Sequence, residues 1–94
     1  MPPASSDTME YMIPSQVLVA HLDGEAVVLH MDTKRYYRLN DTGARIWKGL
    51  ERRERVSQIV TSLCAQFTVP RETAQREVES MIRDLLDNGL LAEG

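Results

Sequence analysis

Cysteine is almost missing from this chain: Cys64 stands alone among 94 residues. An internal disulfide is excluded, and so is a thiolate-rich metal centre. Its helical spacing with Val60 and Phe67 makes Cys64 a core thiol. Histidine is nearly as scarce. His21 and His30 each fall in a strand-like run, with no third histidine and no His-x-x-x-His pair. They read as strand-surface side chains rather than zinc ligands. Long apolar runs are absent too, since Val17–Ala20 falls far short of the roughly 20 residues that cross a bilayer. The start shows neither a basic stretch nor an apolar segment of signal-peptide length, so the expectation is a cytoplasmic protein with no membrane partner. Gly24 and Gly43 are too isolated to cradle a phosphate, and no serine has the glycine context of a nucleophile elbow. No cofactor site and no catalytic group emerge, and the expectation is a protein that is not an enzyme.

What is present fits one small domain. Residues 1–16 hold three of the four prolines and read as a flexible N-terminal arm, with a short extended piece near Tyr11–Ile13. The domain proper covers residues 17–94. Val17–Leu22 and Ala26–Met31 flank Asp23-Gly24-Glu25, and the Asp-Gly pair accepts the positive φ values of a hairpin turn. After a second turn at Asp32-Thr33-Lys34, Arg35–Leu39 reads as a third strand, because paired aromatics suit a half-buried pleated surface.

The period then turns helical. Asn40 is placed to cap a first helix that buries Gly43, Ile46, Trp47 and Leu50. Val56, Ile59, Val60, Leu63, Cys64 and Phe67 stripe a second. Pro70 suits the first turn of a third. There Ala74, Val78, Met81, Ile82, Leu85 and Leu86 span an arc of about 140°, and Asn88-Gly89 supplies the stop. Leu90-Leu91 is expected to fold back onto the core. The fold class is α+β: a three-stranded antiparallel sheet followed by three helices, in a winged helix-turn-helix-like arrangement.

Charge is unevenly spread. Residues 34–55 carry eight basic and three acidic side chains, and the other positions three and eleven. A domain of this shape raises the alternative of a winged-helix regulator that binds nucleic acid. Its natural recognition helix, the third, instead carries five acids against Arg76 and Arg83 between Glu72 and Asp87, which repels a phosphate backbone. A third reading is an assembly subunit docked permanently on a partner chain.

The third strand carries the most information. In a three-stranded meander one of its sides is free, and open edges are either blunted or used. Lys34, Arg35 and Arg38, interleaved with Tyr36 and Tyr37, serve either purpose: charge that prevents edge pairing, or a platform on which a guest peptide adds a strand. In the second case the basic side chains favour an acidic guest. An unfilled edge also leaves the resting state as a monomer or a weak homodimer.

The run Tyr36-Tyr37-Arg38-Leu39-Asn40-Asp41-Thr42-Gly43-Ala44 resembles the tyrosine/leucine–asparagine–x–threonine–glycine–alanine signature of PqqD-like proteins. Gly24–Met31, Val56–Phe67 and Ile82–Leu91 fit the same family pattern, so the resemblance covers about Val17 to Leu91. It implies a recognition element for ribosomally made, post-translationally modified peptides. Such a domain binds the leader region of a precursor peptide as an added strand and delivers it to a leader peptidase or other modifying enzyme, here preferably in a lasso-peptide pathway.

Carried over by position, the peptide-binding strand is Thr33, Lys34, Arg35, Tyr36, Tyr37, Arg38 and Leu39. The opposing wall is Val78, Met81, Ile82 and Leu85. The arm offers Tyr11 and Pro14 as rival occupants of the same groove. One departure stands out. Where the family often has aspartate and glycine between the first two helices, this chain has Glu51-Arg52-Arg53-Glu54-Arg55, and that surplus of arginine raises the expectation of a contact to a partner enzyme.

Overall fold

The computed structural model describes residues 11–93, and the first ten residues of the expected arm lie outside them. In chain order the elements are β1 (Tyr11–Met12), β2 (Val17–Leu22), β3 (Glu25–His30), β4 (Tyr36–Leu39), α1 (Asp41–Glu51), α2 (Val56–Phe67), α3 (Arg71–Asp87) and β5 (Ala92–Glu93). The three antiparallel strands β2-β3-β4, followed by three helices, are the expected α+β order. No helix among the described residues is long and apolar enough to cross a membrane.

The β2–β3 hairpin turns on Asp23 and Gly24, with φ of 43° and 84°. Both positions need positive φ, and that backbone twist matches the twist of the flanking strands. Register follows: Val19 faces Val28 on one strand pair, and Val28 faces Tyr37 on the next. One face of the sheet therefore sends Val17, Ala26, Val28 and Leu39 into the core, as a period of two demands. The N-terminal piece forms β1, paired with β5 at Tyr11↔Glu93 and Met12↔Ala92.

The helices begin and end where the local chemistry dictates. Asn40 caps α1, its Oδ1 accepting from the Gly43 amide at 2.9 Å. Pro70 is the N-cap of α3. Beyond α3, Gly89 has φ 71°. Its amide donates to Leu86 O, and the Leu90 amide donates to Leu85 O, which satisfies the orphan carbonyls of the last turn. That reversal drives Leu90 and Leu91 into the core. α1 and α2 approach closely at Gly49, where a Cβ would stand 2.7 Å from Ile59 Cγ1.

Candidate functional site

β4 is an edge strand, because the sheet order is β2-β3-β4. Which of its backbone groups are free follows from register. The His30 amide donates to Arg35 O at 2.9 Å, so the Arg35 carbonyl marks a position of the ladder that faces β3. Alternation in an antiparallel ladder then turns the main chain of Tyr37 and Leu39 toward β3. The N–H and C=O groups of Tyr36 and Arg38 point to the open side.

Beside that edge runs a groove of ≈ 840 Å³ between β4 with the start of α1 and the exposed flank of α3. Tyr37, Arg38 and Leu39 form the strand wall, Gly43 and Ile46 the end, and Arg76, Glu77, Ser80, Met81 and Asp84 the helix wall. Two long-range hydrogen bonds fix the walls together. The Tyr37 hydroxyl donates to Asp84 Oδ2 at 3.1 Å, and Arg35 Nη1 donates to Asn88 Oδ1 at 2.9 Å. Burial raises the Tyr37 phenol above its ordinary pKa of 10.0, with Asp84 adding to the shift through the hydrogen bond and its charge.

The residues singled out from sequence divide sharply. Tyr37, Arg38, Leu39 and Met81 do line the groove. Tyr36 is 67% exposed, with its side chain on the outer face of the sheet while its main chain faces the edge. Thr33 and Lys34 lie in the β3–β4 turn, where Lys34 adopts φ 63°. His30 Nδ1 accepts from the amides of Asp32 and Thr33, which orders that turn.

Val78, Ile82 and Leu85 are not groove residues. They are buried in the core at 0%, 4% and 0% exposure, because α2 and the body of the domain take up the centre of the apolar arc. The polar flank next to Met81 forms the wall instead, and periodicity gives no signal for it, since such residues look like any solvated face. Nor is the groove basic. Of the strand's three cations only Arg38 lines it, and Arg38 pairs with Glu25 at 3.5 Å. Arg76 pairs with Glu72 at 3.1 Å, which leaves Glu77 and Asp84 as the opposing charges. The arm's Tyr11 lies in the β1–β5 ladder and Pro14 O accepts from the Val17 amide; neither lines the groove.

An open strand edge beside a helix-walled groove has the geometry that strand addition by an extended peptide requires. Comparison with known proteins gives the chain a family. The family model described as coenzyme PQQ synthesis protein D (PqqD) matches residues 25–91. The chain belongs to the PqqD family.

Two solved structures extend the likeness. This PqqD-family chain is 39% identical to the one described as TbiB1 in complex with the TbiA(beta) leader peptide, with a TM-score of 0.78 over 84% of this chain and 92% of that one. It is 27% identical to lasso peptide synthetase B1 complexed with the leader peptide, with a TM-score of 0.80 over 87% and 96%. No curated protein matches the sequence. Both neighbours are thus complexes with a leader peptide, and one of them is described as a lasso peptide synthetase.

Proposed function

We propose that this PqqD-family domain binds the leader region of a ribosomally made precursor peptide by strand addition to β4 and delivers it to a maturation enzyme, contributing no chemistry itself. The observation that carries this reading is the pair of outward-facing main-chain units, Tyr36 and Arg38, at the rim of the groove. Four backbone hydrogen bonds from that short edge fix the register of a guest. Alternate guest side chains then point into the groove, where Leu39, Ile46 and Met81 offer apolar contact and Glu77 and Asp84 offer acceptors. The guest this lining favours is apolar with a cationic or hydrogen-bond-donating side chain, rather than acidic.

Delivery is supported by the other face of the sheet. Leu18, Leu29 and Tyr36 stand in one cross-strand row, and Ala20, Val27 and Arg38 in the next, with Glu25 opposite Leu22 in the third and paired with Arg38. Leu18 is 52% and Leu22 59% exposed. A solvated antiparallel sheet ordinarily alternates apolar-in with polar-out, so an outer face that is apolar apart from the Arg38–Glu25 pair fits a protein partner that covers it. The modifying enzyme is that partner in this reading, and no nucleic acid takes part.

The test is fluorescence anisotropy of a labelled leader peptide, taken from the short reading frame beside the gene, titrated with the protein. Saturable binding lost with a scrambled leader supports strand addition. No binding by the intact leader overturns it.

A further inference from the structure

The loop between α1 and α2 puts arginine where the local chemistry favours other residues. Arg53 has φ 56° at the left-handed position that closes α1, its amide donating to Leu50 O and the Glu54 amide to Gly49 O, a place that glycine fills freely and arginine only at a cost. Arg55 is the N-cap of α2 and makes no side-chain cap hydrogen bond, since a guanidinium has no acceptor to offer. Only the reciprocal bond survives, with Gln58 Oε1 accepting from the Arg55 amide at 2.8 Å. Arg55 also puts a cation at the positive end of the helix dipole, where charge of that sign is disfavoured. The C-cap of α1 needs no arginine either, because the Arg52 cap bonds to Leu50 O and Lys48 O come from its backbone N–H.

The side chains answer to no internal partner. Arg52, Arg53 and Arg55 are exposed, and none forms an ion pair among the described residues. Of the two acids in the loop, Glu54 turns inward toward Arg45, which leaves Glu51 alone among three free guanidinia. The fold uses the left-handed turn to close α1, but it requires neither an arginine there nor a cap residue without an acceptor, and residue choices of that kind collect at sites kept for an outside contact.

We infer that Arg52, Arg53 and Arg55 form a docking surface for an acidic segment of a protein partner, at the opposite end of α1 from the peptide groove. Planar guanidinia pair with carboxylates two bonds at a time, which suits a compact acidic patch. The stretch from Lys48 to Arg55 has four basic and two acidic residues, a net of +2, so the remainder of the chain is −5 within the overall −3. A duplex reaching past this patch would meet that negative remainder within a body of 36 × 35 × 19 Å. A carboxylate-rich protein segment confined to the loop would not.

The experiment uses the full chain and octaglutamate as the acidic probe, with chemical-shift mapping and a 16-base-pair DNA duplex as the rival ligand. Octaglutamate is expected to shift the amides of residues 48–57 and to leave those of β4 unmoved. Arg53→Gly with Arg55→Ser is expected to raise the melting temperature by about 5 °C, since each change restores a residue that the local chemistry favours. The same pair is expected to weaken octaglutamate about tenfold while leader-peptide affinity stays constant. Three results overturn the inference: shifts that avoid the loop, a pair of substitutions that lowers the melting temperature, or duplex DNA bound more tightly than octaglutamate at the same residues. Because the leader peptide is measured separately, loss of its binding would count against the groove reading and not against this one.

Discussion

The hydroxyl of Tyr37 on β4 and the carboxylate of Asp84 on α3, 47 residues apart, meet at 3.1 Å along the groove. The contact joins the strand wall to the helix wall and keeps the Tyr37 phenol protonated above its ordinary pKa of 10.0. A group whose pKa is raised by folding holds its proton more tightly in the folded state. Its contribution is complete below pH 10 and is lost as pH rises through the raised value. Thermal melts from pH 8 to pH 11 are expected to show a falling midpoint at the alkaline end. Tyr37→Phe, which has no phenol to ionise, flattens that part of the profile relative to the wild type. An unchanged profile would show that the ionising group lies elsewhere.

Prolines placed at neighbouring positions separate the two sides of β4. Proline has no amide hydrogen, and the Tyr36 amide faces the open edge while the Tyr37 amide faces β3. Tyr36→Pro is therefore expected to spare the ladder and cost the guest one hydrogen bond, about 1 kcal/mol or a five- to tenfold loss of leader affinity. Tyr37→Pro breaks the ladder and lowers the melting temperature. Anisotropy paired with circular dichroism distinguishes them, and equal unfolding by both would refute the assignment of edge-facing groups.

The two sides of α3 are expected to part in the same way. Leu85 is fully buried, so Leu85→Ala costs about 2–5 kcal/mol of stability by transfer and cavity terms together. Leader affinity per folded molecule stays as it was. Ser80 is exposed on the groove wall, and Ser80→Trp fills the groove, lowering affinity with the melting temperature nearly constant. Chemical denaturation and peptide titration of both variants check this.

Gly49 tests the helix junction. An alanine methyl there meets Ile59 Cγ1 at 2.7 Å and Glu54 Oε1 at 2.9 Å, both closer than contact distance. Gly49→Ala is expected to destabilise the domain by about 1–3 kcal/mol, the range for overpacking a tight core. A urea midpoint equal to that of the wild type would contradict it.

Much of this architecture is legible in sequence because its causes are local. Asp23-Gly24 forces the hairpin, Asn40 caps α1, and Gly89 closes α3, each through a conformation or an acceptor that neighbours alone require. The open side of β4 is also legible, since a meander leaves one edge free. The groove wall is not. The apolar arc of α3 led to Val78, Ile82 and Leu85, yet packing consumes that arc and leaves only Met81 at its margin. Tyr37–Asp84, Arg35–Asn88 and the β1–β5 ladder join residues at least 47 positions apart. No periodicity reports such partners, and they are what turns an edge strand into a cleft.

The short β1–β5 ladder has a mechanical consequence. Tyr11 lies opposite Glu93 and Met12 opposite Ala92, so the chain enters and leaves at the same end of an antiparallel pair. Force applied through residues 11 and 93 would peel this pair open bond by bond rather than load its bonds together in shear. The ladder acts as a fuse: it parts under slight tension, before the load passes to the rest of the domain.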